Sequence, residues 1–565
     1  VANTQGQSLD NLIAELESET PELADGWKRY ESAMTKTADY LGECGEFPSQ
    51  KAVVDGAKTG GDPDLFKYFV ERSFQLLAAD GRFGIVIPGV IWQTEGCTGL
   101  RSLLFEKKTI DELFVFENYR KWGFNIHSRF KFSTIVASNT IPPEAHSFNA
   151  AFMLRDPQIL VGLQSERIVK LNIPMIKILS PGSLALLDFK SSVEAELMAR
   201  IHQNFPRLDS PESGWNPKYR CDLHMTHDSW LFKKPEWMRE RGFVLIRPKR
   251  IPRGWVQEIV EFSGGDEKPY NPEISPIRLQ SFLPPGGEFW VSANSEYYVN
   301  RGYHAVEANI QGKPVTVFVH PDDLAKSSRI INKKPVSSSE IYRISPSSFY
   351  TALYEGRMVD NFDHCAKKYT GGEGRKAIWQ ELDCKDKTLK SHFLVSLAEA
   401  FQPSKHRVGF CEITGATNER TLLVSLLPNS SICGNKVPTL TIDDIQKTAI
   451  LTCLLSSFVL DSFIRMRVST TLNYVYVRQL PMASTPKIPQ EVVEKTLRLS
   501  CTTPELADYW NEAYPENPWT YDSAERDPWK RSELRAELDA IVAEGFEAAG
   551  FEGCDRMVRG GDGHA

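Results

Sequence analysis

The chain lacks grouped cysteines. Ten are spread singly at 44, 97, 221, 365, 384, 411, 433, 453, 501 and 554, with no CxxC pair and no Cys/His group at zinc spacing. That pattern excludes a zinc ribbon and a disulfide framework, and reduced thiols point to a cytoplasmic protein. Long apolar runs are lacking as well. The longest, Thr448 to Leu460, falls short of the roughly 20 residues a membrane-spanning helix needs, so no membrane partner is expected. The opening VANTQGQSLDNL is polar and has neither the basic nor the apolar part of a secretion signal. It starts on Val1 rather than methionine, from which we expect a preceding portion. Positive charge is not in excess: 66 Lys and Arg stand against 73 Asp and Glu, a net charge of −7. This excludes a chain coated in basic residues but leaves room for a basic cleft on an acidic body. Internal repeats are absent.

What is present fits a globular protein. Hydrophobic residues make up 41% and charged residues 25%, enough to build real cores. The 565 residues accommodate about three or four domains. Residues 9–40 read as a helix, with Leu9, Leu12, Ile13 and Leu16 on one face. Asp62 and Pro63 read as the N-cap and first position of a second helix that ends before Gly81. Leu65, Phe66, Phe69, Val70, Phe74 and Leu77 fall on one face of it. A strand over 83–88, a helix over 99–108 and strands over 110–117 and 131–137 follow. Short apolar strands alternating with helices predict the α/β class, here the later part of a mostly parallel, Rossmann-like sheet.

The texture changes at about residue 206. Residues 215–255 hold ten Lys and Arg against four Asp and Glu, interleaved with Trp215, Trp230, Trp237 and Trp255. Strands and turns over 243–345 lead to a long apolar helix over 443–467, a strand over 472–482, and a charged helical tail. The expected organisation is the later part of a catalytic domain (1–155), connecting strands and helix (156–205), an α+β target-recognition region (206–485), and a helical C-terminal region (486–565).

Four runs carry chemistry. The first is DLFKYFVERSFQLLAADGRFGIVIP (64–88), followed by GFNIHSRFKFSTIVAS (123–138), a helix and strands whose connecting loops lie at one sheet edge, where α/β folds bind ligands. The second, YRCDLHMTHDSWLFKK (219–234), sets short donors and acceptors beside a basic flank, suited to phosphate and base-edge contacts. A metal site from Cys221, His224 and His227 is the competing reading, but no fourth ligand is specified and we expect none. The third is LYEGRMVDNFDHCAKKY (353–369), readable either as a DNA-facing cluster or as a buried hydrogen-bonded network. Its Asp–His pair lacks the G-x-S-x-G elbow that a serine hydrolase needs. The fourth, RVGFCEITGATNERTLLVSLLP (407–428), has a polar turn in which Asn and Arg could pair with adenine and guanine.

These runs, in this order, resemble gamma-class adenine-N6 DNA methyltransferases, in particular large type IIG and phage-defence enzymes of the DISARM and BREX kinds. The resemblance covers all but about residues 243–345. It implies that Leu65 and Phe66 line the floor between S-adenosylmethionine and the base. It implies that Phe124 stacks on a flipped adenine, with Phe130, Phe132 and Pro88 beside it, since an aromatic face offsets lost base stacking. Core packing is the alternative for these phenylalanines. For contact with double-stranded DNA it implies Arg220, His224, Thr226, Ser229, Lys233, Lys234, Arg357, Asn361, Asp363, His364, Asn418, Arg420 and Asn473.

Two of the family's motifs are not found: the F-x-G-x-G cofactor loop and the N/D-P-P-Y/F/W tetrapeptide. Asn216-Pro217-Lys218-Tyr219 has the wrong third residue and follows the motifs it should precede, and Asn517-Pro518-Trp519 sits in the tail. The Gly-rich run at 371–376 lacks a strand before it. We therefore expect the cofactor site to lie mostly outside these residues, supplied by an upstream half or a partner subunit, with no catalytic residue here. Other phage-defence proteins are further expected partners. A cofactor-free specificity subunit that positions a separate enzyme is the alternative.

Overall fold

The computed structural model describes residues 18–547 apart from 52, 55–56, 59–62, 129, 163–166, 252–253, 264–265, 270–287, 293–303, 311–312, 320–334, 337–348, 386, 398–399, 401–402, 404, 469–470 and 484–487. The expected helix start at 9–17 and the expected cap Asp62 lie outside these residues. The chain divides into two compact units, Val1–Arg200 and Ile201–Ala565.

In the first unit, helix α1 (Pro21–Glu43) buries no residue. Helix α2 (Leu65–Leu76) starts two residues later than expected, because Asp64 is the cap: its carboxylate accepts from the Phe66 N–H at 3.4 Å. The expected apolar face splits. Val70 and Phe74 are buried, while Leu65 and Phe69 stand 62% and 67% exposed on the other side. Phe74 meets Phe83 edge-on at 4.4 Å, so the end of α2 packs on the start of the next strand.

That strand, β1 (Arg82–Pro88), is followed by α3 (Thr98–Glu106), β2 (Thr109–Glu117), β3 (Lys131–Ser138), β4 (Ser147–Leu154) and β5 (Val169–Asn172). The sheet order is β1-β3-β2-β4-β5. Only β2 and β4 pair in parallel; β1–β3, β2–β3 and β4–β5 are antiparallel. The expected mostly parallel sheet is therefore corrected to a mixed one. The physical reason is the short connection from β2 to β3, too short for a parallel crossover. The β1–α3–β2 crossover leaves a gap one strand wide, and β3 fills it in reverse. Strands β1, β2 and β4 thus still share one direction. The stretch 156–205 is less a connector than expected: β5 and α4 (Ile173–Leu179) complete this unit. Helix α5 (Ser192–Asn204) runs across the division between the units.

One buried cation organises the loop after β1. Arg101 donates to the carbonyls of Ile91, Thr94 and Ser183 at 2.5, 2.8 and 2.8 Å and to the Thr98 hydroxyl at 3.1 Å. A buried guanidinium is costly unless its donors are satisfied, and here they close three backbone segments together.

The second unit is built on antiparallel sheets. One four-stranded sheet joins β6 (Lys218–Arg220) to strands far along the chain. After β6 come α6 (Pro235–Glu240), β7 (Phe243–Ile251), β8 (Gly254–Ser263), β9 (Asp266–Pro269), β10 (Phe289–Ser292), β11 (His304–Ile310), β12 (Lys313–Val319), β13 (Pro335–Val336), β14 (Phe349–Tyr354), β15 (Lys367–Gly371), β16 (Ile378–Glu381), β17 (Leu394–Ser396), β18 (Arg407–Phe410), β19 (Val424–Leu427), β20 (Ile432–Cys433) and β21 (Thr439–Thr441). The larger sheet runs β9-β8-β7-β10-β14-β17, with β20 pairing β14 in parallel; the smaller runs β19-β18-β21-β6. Within 243–345, which matched no motif, β7 to β10 belong to the larger sheet, and β11, β12 and β13 form a separate three-stranded sheet in the order β12-β11-β13.

The expected helix over 443–467 is two, α7 (Ile445–Ser456) and α8 (Phe458–Arg465), bent by 55°. The break is at Ser457, whose hydroxyl caps α8 by accepting from the Leu460 N–H at 3.3 Å. From Thr448 to its end α7 is buried on every side, as a central core helix must be. No single described helix is long and apolar enough to cross a membrane. The expected strand over 472–482 is instead the short helix α9 (Tyr474–Arg478). Its alternating Tyr and Val mimic a strand pattern, yet only Val477 is buried. Helices α10 (Glu491–Ser500), α11 (Ala507–Ala513) and α12 (Pro528–Glu547) follow, as the charged tail suggested.

Candidate functional site

In the first unit, β1 and β2 finish at the same end of the sheet, and β3 begins there. The sequence places Pro88, Asn118, Phe124, Phe130 and Phe132 at this end. Asn118 is fully buried and holds the loop between β2 and β3 by four hydrogen bonds. Its amide donates to the carbonyls of Phe124 and Ile126 at 2.9 and 3.3 Å, and its oxygen accepts from the N–H groups of Gly123 and Phe124 at 3.3 and 3.1 Å.

Around this peg the aromatic rings interlock. Phe132 stacks on Phe116 at 5.3 Å, lies tilted against Trp122 at 5.3 Å and meets Phe124 edge-on at 4.9 Å. Gly123 is required by this closeness, since a Cβ there would lie 2.8 Å from the Phe132 ring. Phe132 is therefore buried support, whereas Phe124 and Phe130 are 45% and 61% exposed. Pro88 is exposed and lies opposite Phe132 in the β1–β3 register. Arg120 and Lys121, at φ 54° and 59°, adopt the left-handed conformation consecutively, a strained and basic turn beside the rings. Leu65 is exposed and Phe66 half-buried at the start of α2.

The second unit assembles a separate surface from distant segments. Tyr219 stacks on Tyr474 at 4.2 Å and 12° between planes. Asn473, exposed, starts α9 beside that stack. Leu472 donates to the Glu412 carbonyl at 2.7 Å, and the Glu412 carboxylate pairs with Lys436 at 2.9 Å. Gly356 packs closely on Lys436, which brings the exposed Arg357 to the same neighbourhood. Asn435 accepts from the Met225 N–H at 3.1 Å, drawing in the turn with His224, Thr226 and Ser229, all exposed. Arg220 is exposed and pairs with Asp222 at 3.2 Å. The His224 ring accepts from the N–H groups of Thr226 and His227 at 3.3 and 3.4 Å, so it shapes its own turn. Among the described residues no group of three or more His, Cys, Asp and Glu could hold a metal.

Other expected contacts lie elsewhere. Asn361, Asp363 and His364 are buried. His364 sits between the hydroxyls of Tyr354 and Thr503 at 3.1 and 2.9 Å, and burial lowers its pKa to about 4. Asn361 accepts from the Val424 N–H at 3.1 Å, and Asp363 pairs with buried Lys387. This run forms an interior network. Arg420 is likewise interior, paired with Asp539 at 2.6 Å. Lys233 lies half-buried in a bridge to Leu394, Lys234 pairs with Glu373, and Asn418 is exposed in the turn between β18 and β19. The sequence reading missed Asn118, Tyr219, Tyr474, Asn435 and Lys436. Only Asn118 left a signal, as a turn-forming residue directly after an apolar strand.

A small cavity elsewhere in this unit is lined by Arg247, Glu288, Lys387, Thr388 and Glu505. Burial raises the Glu288 pKa to about 8 and that of Glu505 to about 7, and the nearby Glu505 charge adds to the rise at Glu288.

Comparison with known proteins adds a family and two structures. No curated protein matches the chain. Over 88% of its length it is similar, at 11% identity and a TM-score of 0.36, to the type IIL restriction-modification enzyme MmeI, solved in complex with DNA. The same share is similar, at 10% identity and a TM-score of 0.23, to the type IIG restriction endonuclease BpuSI. It covers 51% of each of those chains, so it spans about half their length. Residues 43–122, which include α2, β1, α3 and β2, match the model of the Eco57I restriction-modification methylase family.

Proposed function

We propose that the chain is the base-pocket and DNA-reading part of an S-adenosylmethionine-dependent DNA adenine-N6 methyltransferase, cytoplasmic, in a restriction-modification or phage-defence system. The observation that carries this is the ring of Phe124, half exposed yet held by the buried Asn118, at the end of a sheet whose segment 43–122 matches a methylase family. A flipped base needs such a face, and a rigid mount lets the ring replace duplex stacking without ordering cost. Phe130 flanks it, and Phe132 backs it. Leu65 and Phe66 form an apolar step that fits one wall of the cofactor site and offers none of its polar contacts. When bound, S-adenosylmethionine supplies the methyl group. The second unit reads duplex DNA with Arg220, His224, Thr226, Ser229, Arg357, Asn418 and Asn473.

The test joins the chain to the polypeptide that carries the remaining motifs and supplies S-adenosylmethionine and unmethylated duplex DNA. Mass spectrometry of the digested DNA should find N6-methyladenine, and Phe124→Ala should lower its rate by about 10- to 100-fold, a loss of about 1–3 kcal/mol of base stacking. Duplex binding without any cofactor binding by the assembly would instead leave a specificity module.

A further inference from the structure

A line of buried polar groups runs through the second unit, and the proposed duplex contact uses none of it. Tyr354, at the end of β14, meets Nδ1 of His364 with its hydroxyl at 3.1 Å, and Nε2 of the same ring meets the Thr503 hydroxyl at 2.9 Å. Thr503 in turn donates to the Glu505 carboxylate, which favours its charged form. A neutral imidazole carries one N–H, so these contacts run in one direction. The Thr503 proton goes to Glu505, its oxygen accepts from Nε2–H, and Nδ1 accepts from the Tyr354 hydroxyl.

The line ends at the small cavity that Glu505 and Glu288 both line, whose volume of about 10 Å³ has room for one water. Glu505 is buried, and its Oε2 has no partner among the described residues. The cations nearby are engaged elsewhere. Arg247 donates to Glu258 and Glu267, each at 2.8 Å. Lys387 pairs with Asp363 and donates to the carbonyls of Cys365 and Leu382 at 3.1 and 2.9 Å. Lys390 is exposed. The remaining titratable neighbours, Glu267, Asp363, Cys365 and Cys433, supply no positive charge. Two ionised carboxylates beside one enclosed cavity repel, and a proton held between them removes the conflict.

We propose that Glu505 and Glu288 share a proton through a water in this cavity, at the end of a one-way chain from Tyr354 through His364 and Thr503. The shared proton latches the turn 503–506 to the larger sheet, and its loss releases that turn. This goes beyond the methyltransferase reading and does not rest on it. Burial holds Glu288 at about 8 and Glu505 at about 7, above the ordinary carboxylate range. The latch is therefore closed at acidic pH and opens as pH rises through 7 to 8.

Hydrogen exchange of the full chain between pH 6 and 9, corrected for the intrinsic rate of each amide, tests the latch. Residues 503–507 should exchange about tenfold faster above pH 8 than at pH 6. Glu505→Gln and Glu288→Gln keep the shape of the protonated acid, and each should remove that rise. Each should also weaken the protonated-carboxyl stretch in the infrared difference spectrum between pH 6 and 9. Thr503→Val keeps the volume but removes the donor that favours ionised Glu505, so the opening should move up by about one pH unit. A rise that is equal in the parent and both Gln variants overturns the latch, as does an infrared band that neither variant weakens. An unmoved midpoint in Thr503→Val overturns the chain. If a Gln variant loses the far-UV spectrum of the parent, the Thr503→Val midpoint decides.

Discussion

Asn118 concentrates four hydrogen bonds in one buried amide, and its removal strands backbone groups of Gly123, Phe124 and Ile126 in the loop between β2 and β3. Asn118→Ala should cost about 1–3 kcal/mol of first-unit stability, because desolvated donors and acceptors lose their partner. Thermal unfolding reads the loss, and a red shift of tryptophan emission reads the release of Trp122. Glu288 and Glu505 make a pH prediction with a definite sign. Their pKa values stand at about 8 and about 7 in the fold, above the ordinary carboxylate value. The folded chain thus holds protons that the unfolded chain has released, so their contribution is full at acidic pH and is lost as pH rises through 7 to 8. The melting temperature should fall between pH 6 and 9 by an amount that Glu288→Gln with Glu505→Gln abolishes. An unchanged slope in the double variant would show that other groups set it.

Elements show what the sequence could and could not reveal. Strands β1, β2 and β3 and helix α3 were legible within one or two residues, because short apolar strands and helices are local signals, whereas helix α2 ends at Leu76, well before the expected stop at Gly81. Their pairing was not, since the antiparallel place of β3 depends on connection length and on the gap left by a crossover. The helix at 474–478 escaped for the opposite reason: alternating Tyr and Val satisfied a strand rule, while the Tyr219–Tyr474 stack is a contact between segments more than 250 residues apart. For Asn361, Asp363 and His364 the sequence left a buried network and a DNA-facing cluster both open, and the interior place of Arg420 was invisible, as a polar run looks the same from the sequence whether it meets solvent or a buried partner. One such partner makes an element-scale prediction. Arg407 clasps Asp222 through two contacts of 2.8 Å, fastening the segment after β6 to β18. Asp222→Ala leaves a buried guanidinium uncompensated and should cost about 3–5 kcal/mol, read by denaturant titration.

At the scale of the whole molecule, the proposed duplex contact of an acidic chain has to be a local surface. Arg220→Ala and Arg357→Ala should each weaken duplex binding and reduce the salt slope by about one, measured by fluorescence anisotropy between 50 and 200 mM salt. Arg420→Lys should change stability and leave that slope alone. A slope insensitive to Arg220 and Arg357 would move the DNA contact to another face. The Arg101 guanidinium, finally, bears on how the first unit opens. Because one side chain closes the loop at 91–94 and the carbonyl of Ser183 together, those segments cannot loosen independently. They should behave as one cooperative foldon, with their amides exchanging hydrogen at a common rate, and the loop beside the pocket inherits the protection of the core.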